Sequence, residues 1–305
     1  MKKLFCLLLL TSNLLLAQSN ISILHVGKFS HEPSGAALSG FSTTNFELAG
    51  GMVIVKAALD GQVGDFILDT GSPGIILNSQ TDDFQSIQTA SGVGGEMEIG
   101  TVELKNFEWG IIRKDKMQGF VLDVSHLEVA CGRDIMGLIG FDVLNHYELL
   151  FDYGNKTVSV YNAGEAGAGR GLRLVNSFSF RLYGHVPVIS AKVDGKRVNL
   201  GLDSGAGVNL MDKRFFDKID TAILSDIEQE YLTGLDNERQ LVLAADVGAT
   251  YVKGHCLPEM RYVFTDLEQL RQNFGIPLDG LLGFPFFKNQ VVSIDYKKKK
   301  VSIWQ

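Results

Sequence analysis

Two short segments hold the residue types needed for acid–base chemistry: Asp69-Thr70-Gly71-Ser72 and Asp203-Ser204-Gly205-Ala206. Each carboxylate follows an apolar run, Phe66-Ile67-Leu68 or Leu200-Gly201-Leu202. Each precedes another, Ile75-Ile76-Leu77 or Val208-Asn209-Leu210-Met211. A carboxylate at the end of a buried strand is costly unless something satisfies or uses it. Two carboxylates about 3 Å apart cannot both ionise, so one keeps a proton near neutral pH. The ionised member can take a proton from water while the protonated member hydrogen-bonds a carbonyl. That chemistry hydrolyses an amide with no covalent intermediate, metal or cofactor.

The surroundings of the two motifs are duplicated. A shift of 134 positions lays Phe46, Leu48 and Gly50 on Phe180, Leu182 and Gly184, and Asp60-Gly61 on Asp194-Gly195. A shift of 143 lays Gly137-Leu138-Ile139-Gly140-Phe141 on Gly280-Leu281-Leu282-Gly283-Phe284. The same shift lays Phe151-Asp152-Tyr153 on Ile294-Asp295-Tyr296, and Val158-Ser159-Val160-Tyr161 on Val301-Ser302-Ile303-Trp304. Several matches in one order mark an internal repeat, with a net insertion in the second copy. At 305 residues, the chain is long enough for two lobes.

From Phe46 onward, short apolar or alternating runs are separated by Gly, Asp and Asn, which predicts strands. Asp60-Gly61 and Asp194-Gly195 are hairpin-turn dipeptides ahead of each Asp motif. Helices are expected to be few. One is predicted from Asp266 to Asn273, with Thr265 or Asp266 as cap and Gly275 as stop. A shorter one is predicted near Asp212, with Phe215 and Phe216 facing the core. The expected fold is all-β with minor helix. Its organisation reads as a leader (1–17), an N-terminal arm (18–45), a first lobe (46–161), a Gly/Ala-rich linker (162–171) and a second lobe (172–305).

The net charge of -7 argues against a nucleic-acid partner. The one basic run, Lys297 to Lys300, reads as a solvated hairpin tip. Lys2, Lys3, the apolar stretch Leu4 to Leu16 and a cut after Ala17 resemble an export signal. No later segment reaches ~18 consecutive apolar residues, so no stable membrane span is expected. A monomer in the periplasm or outside the cell is the expected product. Cys6 leaves with the leader, and Cys131 and Cys256 either join as a disulfide or remain as two buried thiols. The six histidines show no metal-ligand spacing.

With both Asp motifs and both hydrophobic-hydrophobic-Gly segments, Leu138-Ile139-Gly140 and Leu281-Leu282-Gly283, the chain resembles aspartic peptidases of the pepsin and retropepsin superfamily. The resemblance covers most of residues 46 to 305. It implies a bilobal, acid-protease-like double β-barrel built by internal duplication, acting as an endopeptidase on peptide or protein substrates. It implies that Asp69 and Asp203 form the catalytic pair. Thr70 and Ser204 would hydrogen-bond across the lobe interface, and Gly71 and Gly205 would let backbone amides reach the carboxylates. Ser72 would donate to Asp69 while Ala206 cannot do so for Asp203, leaving the shared proton on Asp203. Gly92, Val93, Gly94 and Gly95 resemble the tip of a flap that closes over substrate. Gly201 and Gly207 depart from the usual flanks of the second motif. They keep a second reading open: an exported non-catalytic pseudo-peptidase that holds a peptide or glycan.

Overall fold

Strand-forming runs separated by tight turns produce a chain with 58% strand and 12% helix in the computed structural model. It describes residues 19–20, 40–79, 86–92, 95–162, 171–233, 239–274 and 278–305. The expected leader, residues 18 and 21–39 of the arm, Val93 and Gly94 of the expected flap tip, and linker residues 163–170 lie outside the described residues.

A six-stranded sheet joins the two halves, in the order Leu174–Ser179, Lys300–Trp304, Val291–Asp295, Tyr147–Asp152, Thr157–Asn162 and Phe41–Asn45. At its centre Tyr147–Asp152 and Val291–Asp295 run antiparallel with Leu150 opposite Ser293. The repeat shift of 143 turns Leu150 into Ser293, so this pairing maps onto itself. It is the contact expected of two copies related by a twofold axis. Of the basic run expected as a hairpin tip, Lys297 to Lys299 lie in the connection between the last two strands, and Lys300 opens the final strand.

Each half adds its own curved sheet. In the first, Met52–Leu59, Gln62–Leu68, Gly137–Ile139, Ile76–Asn78, Ile112–Leu122 and Gly95–Trp109 form a ring. The pairs Ala58↔Glu108 and Leu59↔Phe107 close it. In the second half the equivalent pairs exist, Lys192↔Tyr251 and Val193↔Thr250. The strand that carries them is cut, however, at Gly248 and Ala249, although the positive φ of Ala249, 52°, is matched by 48° at its repeat equivalent Asn106 within the unbroken strand. Arg239–Val247 therefore stays on one side of the break and Thr250–Val252 on the other. The expected double barrel is thus corrected to one closed barrel and one curled half-barrel. The unbroken strand Gly95–Trp109 makes the difference.

The dipeptides Asp60-Gly61 and Asp194-Gly195 turn with positive φ at both residues, as a hairpin matching strand twist requires. The helix expected from Asp266 is Glu268–Phe274, with Asp266 Oδ1 accepting from Glu268 N at 2.8 Å. Near Asp212 the chain forms a tighter 3-10 turn, Lys213–Lys218, capped by Asp212, with Phe215 and Phe216 partly buried against the core. Short helices at Ser125–Cys131, Phe141–Leu144 and Phe284–Phe287 carry no expectation from sequence. Cys131 and Cys256 are free, and Cys256 is exposed rather than buried. Among the described residues no helix is long and apolar enough to cross a membrane.

Gly137 and Gly280 open the short strands Gly137–Ile139 and Gly280–Leu282, where a neighbouring backbone runs close by. A Cβ would come within 2.1 Å of Ile76 O at the first and 2.4 Å of Leu210 O at the second. Gly137→Ala and Gly280→Ala are each expected to destabilise the fold by about 1–3 kcal/mol in denaturant titrations. Gly154→Ala, whose Cβ meets only Asp152 Oδ1 at 3.4 Å, is the near-neutral control.

Candidate active site

Both Asp motifs sit where a strand leaves its sheet. Gln62–Leu68 runs parallel to Gly137–Ile139, and Lys196–Leu202 runs parallel to Gly280–Leu282. The next amides continue these ladders, with Asp69 N donating to Ile139 O at 2.9 Å and Asp203 N to Leu282 O at 3.0 Å. The chain then turns away, and the glycine ending each partner motif makes room. A Cβ on Gly140 would stand 2.4 Å from Ser72 O, and one on Gly283 would stand 2.3 Å from Val208 O. Phe141 N and Phe284 N fasten the two loops by donating to Ser72 O at 2.9 Å and Ala206 O at 2.8 Å.

The loops lock to each other through four reciprocal hydrogen bonds. Thr70 N donates to Ser204 Oγ at 3.1 Å, and Ser204 N donates to Thr70 Oγ1 at 3.0 Å. Thr70 Oγ1 in turn donates to Leu202 O at 3.1 Å, and Ser204 Oγ to Leu68 O at 2.7 Å. Each hydroxyl therefore both donates and accepts across the interface, and all the groups involved are buried.

This lattice brings the carboxyls together. Gly71 N donates to Asp69 Oδ1 at 2.8 Å, and Gly205 N to Asp203 Oδ1 at 2.9 Å. A Cβ on Gly71 would lie 2.7 Å from Asp203 Cγ, so both carboxyls flank one glycine. Burial and, after it, the charge of Asp69 hold Asp203 well above the usual carboxylate range. The amides of Gly205 and Ala206 offset part of that rise. Asp69 and Asp203 are both 0% exposed. Ser72 departs from expectation. Its hydroxyl donates to Gly74 O at 3.2 Å, which uses its only proton, so it does not donate to Asp69.

Gly92 and Gly95 face each other at the end of the hairpin Ser86–Gly92/Gly95–Trp109. The strand Ile112–Leu122 joins this hairpin only from Gly100 onward, so its outer part projects as a two-stranded ribbon. Ser86–Gly92 reaches the helix Glu268–Phe274 of the second half, so the ribbon spans the two halves.

Two residues at the site carried no functional expectation from sequence. His185, buried in the turn before Val186–Val193, has Nε2 2.8 Å from Gly71 O. Asn209 accepts from Gly283 N at 2.9 Å and donates to Arg261 O at 3.1 Å, bracing the second partner motif. A lone His and an Asn within a strand give no pattern to search for. The one signal was the position of Asn209, polar inside an apolar run. Among the described residues no group of three or more His, Cys, Asp or Glu side chains is arranged to hold a metal. Compared with known proteins, the chain matches no protein-family model and no curated sequence.

Removing one hydroxyl of the lattice leaves a buried amide and a buried carbonyl unpaired. Thr70→Val and Ser204→Ala should each cost about 1–3 kcal/mol in chemical denaturation, and their combination should be non-additive. The raised pKa of Asp203 gives a second prediction. A carboxyl whose folded pKa exceeds its unfolded value adds stability at low pH, and that stability is lost as pH rises through the folded pKa. Asp203→Asn should therefore be more stable than the parent at pH 7, with the difference shrinking toward pH 3.8, the ordinary value of the group. Denaturation curves across that range check the sign.

Proposed function

We propose that this protein is an aspartic-type endopeptidase of the pepsin and retropepsin kind, hydrolysing peptide bonds with a water activated between Asp69 and Asp203. The observation that carries the reading is that two motif aspartates from repeat-related loops are buried against one glycine, where a Cβ on Gly71 would lie 2.7 Å from Asp203 Cγ. The reciprocal Thr70 and Ser204 bonds hold those loops in register.

The reaction follows from the asymmetry of the pair. Asp203, with its raised pKa, carries the proton, and Asp69 is the ionised partner. Asp69 takes a proton from the bridging water as that water attacks the scissile carbonyl carbon. Asp203 donates its hydrogen bond to the carbonyl oxygen, on which negative charge accumulates. In collapse of the tetrahedral intermediate the amine leaves with a proton from the pair, which returns to one shared proton. The amides of Gly71 and Gly205 keep each carboxylate oriented.

The carboxyls are covered in this structure, so a substrate reaches them only after the cover moves. The ribbon Ser86–Gly92/Gly95–Ile99, which spans the halves and ends in glycines, is the element suited to that motion. The leader-like first residues fit an exported monomer that meets its peptide substrates outside the cytoplasm.

Incubation with a mixed peptide library, followed by mass spectrometry, tests the reading. Cleavage should be blocked by a statine-type inhibitor. It should fall by about 10²–10⁴-fold in Asp69→Asn and in Asp203→Asn. Peptide binding without products in the unmodified protein would instead support the non-catalytic pseudo-peptidase.

A further inference from the structure

Each half makes a tight turn ahead of a long strand, and each turn lies against the Asp loop of the other half. In the first half the turn ends at Gly50-Gly51, ahead of Met52–Leu59. A Cβ on Gly51 would stand 2.9 Å from the Cα of Gly207, just beyond the Asp203 motif. The repeat shift of 134 lays Gly184-His185 on these two residues, ahead of Val186–Val193. Gly50 and Gly184 share a left-handed backbone, with φ 58° and 59°. The next residue differs. Where the first half has no side chain, the second places an imidazole, 5% exposed, with Nε2 2.8 Å from Gly71 O.

The direction of this bond follows from its partners. A carbonyl oxygen only accepts, so Nε2 of His185 carries the proton and donates it. The peptide it reaches joins Gly71 to Ser72, and the other end of that peptide is held too, because Ser72 N donates to Asp69 O at 3.3 Å. On the near side of the glycine, Gly71 N donates to Asp69 Oδ1 at 2.8 Å. Gly71 also borders the second carboxyl, since a Cβ there would lie 2.7 Å from Asp203 Cγ. The position of Gly71 therefore sets both the orientation of Asp69 and its approach to Asp203. The Thr70 and Ser204 bonds grip this loop one residue earlier. His185 adds a grip beyond the glycine, again from the opposite half. The turn itself does not need an imidazole, because the first half forms it with Gly51.

We propose that His185 is a positioning residue for the aspartate pair: from the second half it clamps the Gly71–Ser72 peptide and so fixes Asp69 against Asp203. The inference rests on the peptidase reading for its purpose, but one arm of its test needs no activity. The clamp is one-sided, because Gly51 has no side chain with which to hold the Asp203 loop. The member it holds is Asp69, the ionised partner in the proposed reaction.

The experiment compares the full chain as parent, His185→Leu and His185→Gln. Leucine fills the space without a donor, and the glutamine amide can donate from about the same place. The first readout is hydrogen exchange at the Gly71 and Ser72 amides, with their repeat equivalents Gly205 and Ala206 as internal reference. His185→Leu should speed exchange at Gly71 and Ser72 by about tenfold relative to Gly205 and Ala206, and His185→Gln should restore the parent ratio. The second readout is peptide cleavage. His185→Leu should lower kcat by about 10–100-fold with KM little changed, since geometry rather than substrate contact is lost, and His185→Gln should recover most of it. If leucine prevents folding, His185→Gly copies the first half and removes the same donor. Equal acceleration at all four amides, or a parent-like exchange ratio without the donor, would overturn the proposal and leave His185 as packing alone. A parent that cleaves no peptide, with Gly71 and Ser72 selectively loosened in His185→Leu, would refute the peptidase reading and uphold the clamp.

Discussion

The structure depends on a mutual lock between two loops that are far apart in the chain. Thr70 and Ser204 each satisfy a backbone amide of the opposite loop with a hydroxyl oxygen, and each passes its proton to a carbonyl of the opposite strand. Neither loop can shift without leaving buried polar groups unpaired, and each such loss takes a sizeable share of a marginal folding free energy. The lock outweighs the tendency of two buried carboxyls to separate. Burial and the neighbouring charge of Asp69 raise the proton affinity of Asp203 in consequence.

Duplication gives this lock its economy. One sequence solution, strand–Asp loop–strand with a glycine-bounded partner segment, supplies both sides of the interface, and the central sheet pairs the copies about their own axis. Glycines at both ends of each partner segment permit an approach that any side chain would block. The copies have drifted where the lock does not reach. The first half closes its barrel through one long strand, whereas the second breaks that strand at Gly248 and Ala249. The second half also braces its partner motif with Asn209, where the first has Ile75 at the equivalent place.

The residues that meet at the site were readable because they repeat. Asp69 with Asp203 and Thr70 with Ser204 stand at an offset of 134, and Gly140 with Gly283 at 143, beside apolar runs. No single motif carries that information, since Asp-x-Gly is common turn chemistry. Asp60-Gly61 and Asp194-Gly195 were readable for a local reason, as their turn type demands positive φ. What escaped depends on tertiary contact. His185 reaches Gly71 O only because the halves face each other, and Ser72 turned to Gly74 O rather than to Asp69 because a nearby carbonyl was within reach. The short helices after Gly140 and Gly283 span a single turn, too little for periodicity to register, and are held by the Asp loops they cap. The open second barrel does not follow from a single irregular residue, since Ala249 and its repeat equivalent Asn106 share the same left-handed backbone and only the second half loses its strand there.

A crystal structure with a peptide analogue carrying a hydroxyl in place of the scissile amide tests the central claim most directly. The account predicts that this hydroxyl sits between Asp69 and Asp203 within hydrogen-bonding distance of both, with the Thr70 and Ser204 bonds unchanged. An analogue bound elsewhere, or carboxyls that part to admit separate solvent shells, would contradict it.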